Sequence, residues 1–373
     1  MHRRHRWLLT GTLLSATALS VAPAHADTII DETLFYTTFA VQPDPGNGGA
    51  PNNVWTSGGT YDRTTGTLTL PAPGSGLADT GEADGIVINP LNAQLLVSGQ
   101  GLPNIFQVSP SGGNVFFHLA IDPSTGSVWA GGTEGAQTGI VNQPLNATTD
   151  GGGSQGVGPG ASSFHQTTLN TAPLGITGMA FVPDPPGAIA TAIGSGYGDY
   201  TVGGKNYAVF YTSNMNSDAG GGNFGALNMN TFAATQLQSN VPGAHGILYD
   251  PLTGDLILGG GNTIDQISPT SPTGILSSYV DPNNDTFDQG AVDGQGDLLF
   301  ASNNGDLLFL DYSGSGQVGT PTFATDKFLN SALDDLAPIA GLGGLVPTPE
   351  PASLTILGAG LAGLGALRRR RRR

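Results

Sequence analysis

The chain has 373 residues, no cysteine and a formal net charge of −16. Glycine contributes 59 residues and charged side chains only 11%, which excludes a coiled coil or long-helix protein built on Glu, Lys and Arg. The missing cysteines exclude disulfides, thiolate metal sites and a cysteine nucleophile.

The first element is an export signal. Arg3, Arg4 and Arg6 form a positive start, residues 7–21 an apolar stretch, and Ala24 and Ala26 the small residues that signal peptidase inspects. About 15 apolar residues fall short of the ~20 needed to span a bilayer. Residues 1–26 are therefore expected to form a signal helix removed before Asp27. Residues 27–346 then hold 27 acidic against 3 basic residues, a formal charge of −24. Such a surface repels phosphate, which excludes nucleic acid as a partner, and attracts cations.

From Tyr61 onward one phrase recurs: an apolar run, an Asp-Pro-x-Thr-Gly turn, a second apolar run, then glycines. The clearest copies centre on Asp122-Pro123-Ser124-Thr125-Gly126 and Asp250-Pro251-Leu252-Thr253-Gly254. Weaker ones centre on Asp62, Asn89 and Asp293, and the most distorted on Pro183. Asp accepts backbone N–H bonds at the first turn position, Pro presets φ at the second, and Gly takes the positive φ that closes a hairpin. Each phrase thus predicts a β-hairpin.

Gly58, Gly85, His118, Gly178, Gly246 and Gly290 hold comparable places before the first run. Their intervals of 27, 33, 60, 68 and 44 residues average about 46, against ~40–50 for a propeller blade. The Gly-rich stretches 151–160 and 217–222 read as loops inside the two long intervals. The prediction is an all-β, six- or seven-bladed β-propeller over residues 27–345, with a pair of β-sandwiches as the rival. The repeat resembles those of secreted propellers of the NHL and lyase-like kind.

The residue before each anchor is polar in several copies: Asp84, Thr177, His245 and Gln289, with Phe117 the exception. Innermost strands converge on a propeller's axis, so these residues are candidates for a channel-mouth site that binds a metal or a small polar ligand. A second candidate is the loop offering Asp281, Asn283, Asp285 and Asp288, whose alternating oxygens suit calcium. It lacks the Gly and Glu of an EF-hand, and Asp and Asn also simply make turns. Of the remaining histidines, His118 reads as a partly buried strand residue, and His165 has no evident catalytic partner. No nucleophile elbow, His-Glu-x-x-His or phosphate loop occurs, so no catalytic residue is assigned.

The chain closes on Val346, Pro347, Thr348, Pro349, Glu350, Pro351, Ala352 and Ser353, then an apolar segment at 354–367, then six arginines at 368–373. The arginines stay cytoplasmic by the positive-inside rule. Fourteen Gly-rich residues make a marginal, transient transmembrane helix. The three parts in this order resemble the PEP-CTERM sorting signal. The resemblance covers residues 346–373 and implies processing by an exosortase-type enzyme in a Gram-negative bacterium that makes extracellular polysaccharide. It implies export and release to the cell surface or extracellular matrix, and says nothing of the cargo's activity. The leading expectation is an exported, non-enzymatic or structural matrix protein that binds polysaccharide, protein or divalent cations. The alternative is a β-propeller lyase or lactonase with a metal or acid/base site at the central channel, using His245 and Asp84.

Overall fold

The computed structural model describes residues 29–338 apart from 45–48, 63, 71–74, 79–82, 90–93, 100–114, 123–126, 135–136, 144–162, 185–186, 195, 198–199, 203, 215–220 and 332. The signal segment and the sorting tail lie outside them. The described chain is mostly strand, with one short helix, α1 (Ala188–Ile193), among the described residues. Among the described residues no helix is long and apolar enough to cross a membrane.

Turn chemistry makes the hairpins. Asp250 accepts the Leu252 N–H at 2.9 Å and the Thr253 hydroxyl at 2.8 Å. Gly254 closes the turn at φ 76°, donating its N–H to the Asp250 carbonyl at 2.9 Å. Asp62 accepts the Thr64 N–H at 2.8 Å in the same way, with Gly66 at φ 68°. Apolar runs on either side then pair across each turn.

Six sheets result among the described residues. The first contains β1 (Ile29–Asp44), β2 (Ala50–Asp62), β3 (Thr67–Thr69) and β4 (Ser75–Ala78). The second is β5 (Ala83–Asn89) with β6 (Gln94–Gly99). The third is β7 (Val115–Ile121), β8 (Val128–Glu134), β9 (Gln137–Gln143) and β10 (Ser163–Gln166). The fourth joins β11 (Thr168–Leu169), β12 (Ala172–Pro173), β13 (Met179–Pro183), β14 (Tyr200–Val202), β15 (Lys205–Ser213), β16 (Gly222–Leu227) and β17 (Ala233–Val241). The fifth is β18 (Gly246–Asp250), β19 (Asp255–Gly260), β20 (Thr263–Ile267) and β21 (Ser277–Val280). The sixth is β22 (Phe287–Val292), β23 (Asp297–Ser302), β24 (Asp306–Asp311) and β25 (Phe323–Phe328). The final strand, β26 (Leu333–Pro338), returns to the first sheet and pairs antiparallel with β1.

The sheets form a propeller-like ring, not a pair of sandwiches. Strands β26, β5, β7, β13, β18 and β22 contact one another in that cyclic order. Six apolar cores fill the six gaps between successive sheets. Trp129 and Ile140 of the third sheet pack with Phe181 and Tyr211 of the fourth. Phe210 and Phe224 of the fourth meet Leu256 and Leu258 of the fifth. Ile257 and Ile264 meet Phe300 and Leu308 of the sixth, and Leu307 and Phe309 meet Leu34, Tyr36, Trp55 and Tyr61 of the first. Val54 packs on Ile86 and Val97, and Leu96 on Leu119 and Val128, closing the circle.

The ring corrects one anchor. Gly58 lies in β2 opposite Thr33, in the middle of its sheet. The innermost strand there is β26, from the other end of the chain, so the true sixth anchor lies about 280 residues downstream.

Candidate functional site

Four innermost strands carry one extra residue near their start, and the residues entering the other two, β13 and β18, repeat the pattern. In β5 the partners Ala83↔Gly99 and Ile86↔Val97 leave Asp84 and Gly85 opposite one residue, Ser98. In β7, Phe117 and His118 oppose Gly131; in β22, Asp288 and Gln289 oppose Ala301; in β26, Asp334 and Asp335 oppose Thr37. Thr212 exchanges backbone bonds with both Thr177 and Gly178, and Gly259 serves both His245 and Gly246. Such bulges bend a strand and re-aim side chains. Six of them in register turn polar residues toward one place.

The bulges lock together. Thr37 Oγ1 donates to the Asp84 carbonyl at 2.8 Å and accepts the Asp335 N–H at 3.1 Å. Thr212 Oγ1 repeats the pattern half a ring away, donating to the His245 carbonyl and accepting the Gly178 N–H at 3.1 Å. Glycine at the second bulge position lets the next strand approach: a Cβ on Gly246 would stand 2.5 Å from the Asp288 carbonyl oxygen.

Four ionisable side chains meet at the centre. His118 Nδ1 lies 3.0 Å from Asp335 Oδ2, and His118 Nε2 lies 3.2 Å from Asp288 Oδ1. His245 Nε2 approaches the same Asp288 oxygen to 2.9 Å, while its Nδ1 sits 3.2 Å from the Asn214 carbonyl. The two imidazoles stand edge to face with centroids 4.8 Å apart. His118, His245 and Asp288 form one group of potential metal ligands, and Asp84, His118 and Asp335 a second. All are buried, as are Asp334, Thr177 and Gln289.

The electrostatics follow from enclosure. Burial disfavours a charged His118, but Asp335, Asp288 and Asp84 overcome it and push the imidazole up to about 10. Burial would raise Asp288; His245 and His118 outweigh it and hold the carboxyl below its ordinary range. Asp334 is pushed well up by burial and by Asp288, Asp84 and Asp335, and hydrogen-bonds Asp288. One carboxyl that keeps its proton beside one that gives it up is an arrangement suited to binding a cation or moving a proton.

Asp84, Thr177 and His245 thus occupy the first bulge position of three strands. Gln289 holds the second, and Asp288 the first, one residue earlier than the anchor spacing implied. The acidic loop is divided accordingly. Asp288 turns into the axial cluster, whereas Asp281 and Asp285 group with Asp326 on β25. Asn283 Nδ2 donates to Asp326 Oδ2 at 2.8 Å, and Asp285 N–H donates to Asp281 Oδ2 at 2.9 Å. His165 lies on β10, the outermost strand of its sheet, stacked on Phe232 at 4.0 Å; burial pushes its pKa down. Sequence reasoning missed His118, Asp334 and Asp335 as site residues. The signal for the last two is two adjacent acids inside the apolar frame Leu333-Asp334-Asp335-Leu336.

The trio on β25 and its loop makes a pH prediction. Burial first, then Asp281, raises Asp326 to about 6 from 3.8. The native state therefore holds this proton more tightly than the unfolded chain. Between those values stability falls as pH rises; the penalty is complete above pH ~6 and absent below ~4. Asp326→Asn should raise the melting temperature at pH 7.5. Partial exposure screens the repulsion to roughly 1 kcal/mol, or roughly 1–2 °C in a domain of this size. At pH 3.5 variant and wild type should melt together. Calorimetry at the two pH values checks this, and an equal gain at both would refute it.

The tail lies outside the described residues, but its sequence is decisive. Residues 347–372 match the PEP-CTERM protein-sorting motif. This segment is a PEP-CTERM sorting tail. It implies an exported protein processed by an exosortase-type enzyme. The PEP-CTERM tail leaves the ring's activity open. Among solved structures, a streptogramin B lyase covers 82% of this chain and 75% of its own at 12% identity and a TM-score of 0.35. A protein of unknown function from Bacteroides caccae covers 83% and 99% at 12% identity and a TM-score of 0.39. Neither likeness is close enough to assign an activity. No curated protein matches the chain.

Proposed function

We propose that this chain is a six-bladed β-propeller with a ligand-binding site on its axis, exported and released to the cell surface or extracellular matrix of an exopolysaccharide-producing Gram-negative bacterium. Residues 1–26 are its signal peptide, 27–345 the propeller and 346–373 the sorting tail. Its role is binding rather than catalysis. The observation that carries this reading is the set of six in-register bulges, which gather His118, His245, Asp288, Asp334 and Asp335 in one enclosed place. A fold needs no buried cluster of four carboxylates and two imidazoles for its own stability, since such groups are costly to desolvate. A ligand supplies the reason to keep them.

The propeller lyase or lactonase remains as a second reading because His118 stands between two carboxylates, an arrangement able to take and return a proton.

Two measurements test the proposal. Intact mass of protein recovered from the medium should show a chain lacking residues 354–373, and Glu350→Ala or Pro351→Ala should slow its release. A released chain still carrying the six arginines overturns the sorting part. For the axis, melting is followed with uronic acids, neutral sugars and divalent cations. At a hundredfold excess over Kd, a bound ligand adds about 2.7 kcal/mol. A shift that disappears in Asp84→Asn or His245→Gln supports axial binding, and its persistence in both refutes it. Turnover of a lactone or uronide lost in the same variants would favour the enzyme.

A further inference from the structure

His245 fixes its own tautomer. The Asn214 carbonyl can only accept, so Nδ1 carries the proton that bridges the 3.2 Å gap, and Nε2 is the nitrogen that faces the cluster. His118 is held in the same way, Nδ1 toward Asp335 Oδ2 at 3.0 Å. Both Nε2 atoms then face one carboxylate oxygen, Asp288 Oδ1, at 3.2 and 2.9 Å. On a charged imidazole Nε2 carries a proton, and a dication that displaces those protons gathers the same three atoms, all within ligand reach of one another. Consistent with that, His118 Nε2 and Asp288 Oδ1 are buried and neither makes a hydrogen bond of acceptable direction. The side chains of His118 and Asp288 are only 2% and 8% exposed, an enclosure that suits an ion better than a sugar.

The spacings agree with a metal. Bonds of ~2.0–2.2 Å in a tetrahedral site set neighbouring ligand atoms ~3.3–3.6 Å apart; the His118–Asp288 separation of 3.2 Å is near that range and the His245–Asp288 separation of 2.9 Å a few tenths of an ångström inside it. Two imidazole nitrogens and one oxygen suit a first-row transition metal, whereas calcium asks for six to eight oxygens. Charge agrees as well. Asp84, Asp288 and Asp335 outnumber the two imidazoles, and a dication offsets the excess. Asp335 behind His118 is the carboxylate–histidine arrangement that orients metal-binding imidazoles.

We propose that His118 Nε2, His245 Nε2 and Asp288 Oδ1 hold one first-row transition-metal dication, zinc fitting best, with Asp335 as the positioning residue of His118. This rests on the axial site proposed above and names its ligand.

The test uses the full chain, stripped with a chelator and titrated with Zn²⁺ and Co²⁺, with Ca²⁺ as the competing probe. One zinc per chain is expected, undisturbed by millimolar calcium. His245→Gln and Asp288→Asn should each weaken uptake at least about hundredfold. Asp335→Asn should weaken it ~10–100-fold while keeping the cobalt spectrum of the wild type. Asp285→Asn, in the separate acidic loop, should leave it unchanged. Substoichiometric uptake, or full uptake by both ligand variants, overturns the proposal. Where a variant does not fold, anomalous diffraction from zinc-loaded wild-type crystals decides, and a metal bound away from these three residues overturns it. A chain that takes no metal here yet loses its response to a polar ligand in His245→Gln overturns the metal alone. Absence of both responses overturns the axial reading with it.

Discussion

His118→Leu is expected to cost metal-free protein about 3–5 kcal/mol of stability, because it strands buried carboxylates without their cation. Asp335 loses its partner at 3.0 Å and Asp288 one of its two imidazoles. Neither carboxylate can turn to water, for both are buried in the ring. The melting temperature should fall by roughly 5–8 °C, at the ~1.5 °C per kcal/mol of a domain this long. The cost belongs to the uncompensated charge rather than to the lost contact, which a second substitution distinguishes. His118→Leu with Asp335→Leu removes one charge of each sign, and apolar replacement of a buried pair is often neutral. The double variant should therefore recover most of the loss. Urea unfolding of the three proteins in the presence of a chelator makes the comparison. A double variant as unstable as the single one would show that His118 contributes packing alone.

What could be read from the sequence divides by the range of the interactions. The hairpins were legible because Asp250 and Gly254 do their work within five residues. A strand-turn-strand phrase therefore exposes itself without knowledge of its neighbours, and its recurrence points to a ring of sheets. The axial candidates were legible in part for the same reason: Asp84, Thr177 and His245 each stand one residue before an anchor glycine, Gly85, Gly178 and Gly246. Gln289 departs from that offset because Gly290 follows the bulge of its strand, whereas Gly85, Gly178 and Gly246 are the second residue of theirs, and counting back from Gly290 lands one position late. His118 looked like a strand residue because it is one; only the bulge turns it toward the axis. Asp334 and Asp335 were hidden by topology. Their strand pairs with β1 from the other end of the chain, and the Asp335 N–H reaches Thr37 across 298 residues. The same closure explains the false anchor at Gly58. Loop acids were read together on spacing, yet strand entry at Phe287 sends Asp288 one way and leaves Asp281 and Asp285 behind.

The chain stopped before Leu333 should fail to unfold cooperatively, whereas the chain stopped after Leu345 should melt as the full protein does. Strand β26 is the clasp of the ring. It supplies the pairing Leu34↔Pro338, Phe35↔Ala337, Tyr36↔Leu336 and Thr38↔Leu333, and it lies between β5 and β22. Leu333 and Leu336 are buried with Leu34, Tyr36 and Trp55 in the core that joins the first and last sheets. Burying two leucines is worth about 3–6 kcal/mol, a large share of the ~5–15 kcal/mol that holds a typical domain together. Their loss uncovers that core on both flanking sheets and removes Asp334 and Asp335 from the axis in the same step. The sorting tail begins beyond the clasp, since eight residues separate Pro338 from Pro347. A cut within the motif at 347–353 therefore frees the protein without touching the strand that closes it. Circular dichroism melts of the two truncated chains check the claim. A cooperative transition in the shorter chain, at a temperature near that of the longer one, would mean that the ring holds without its clasp.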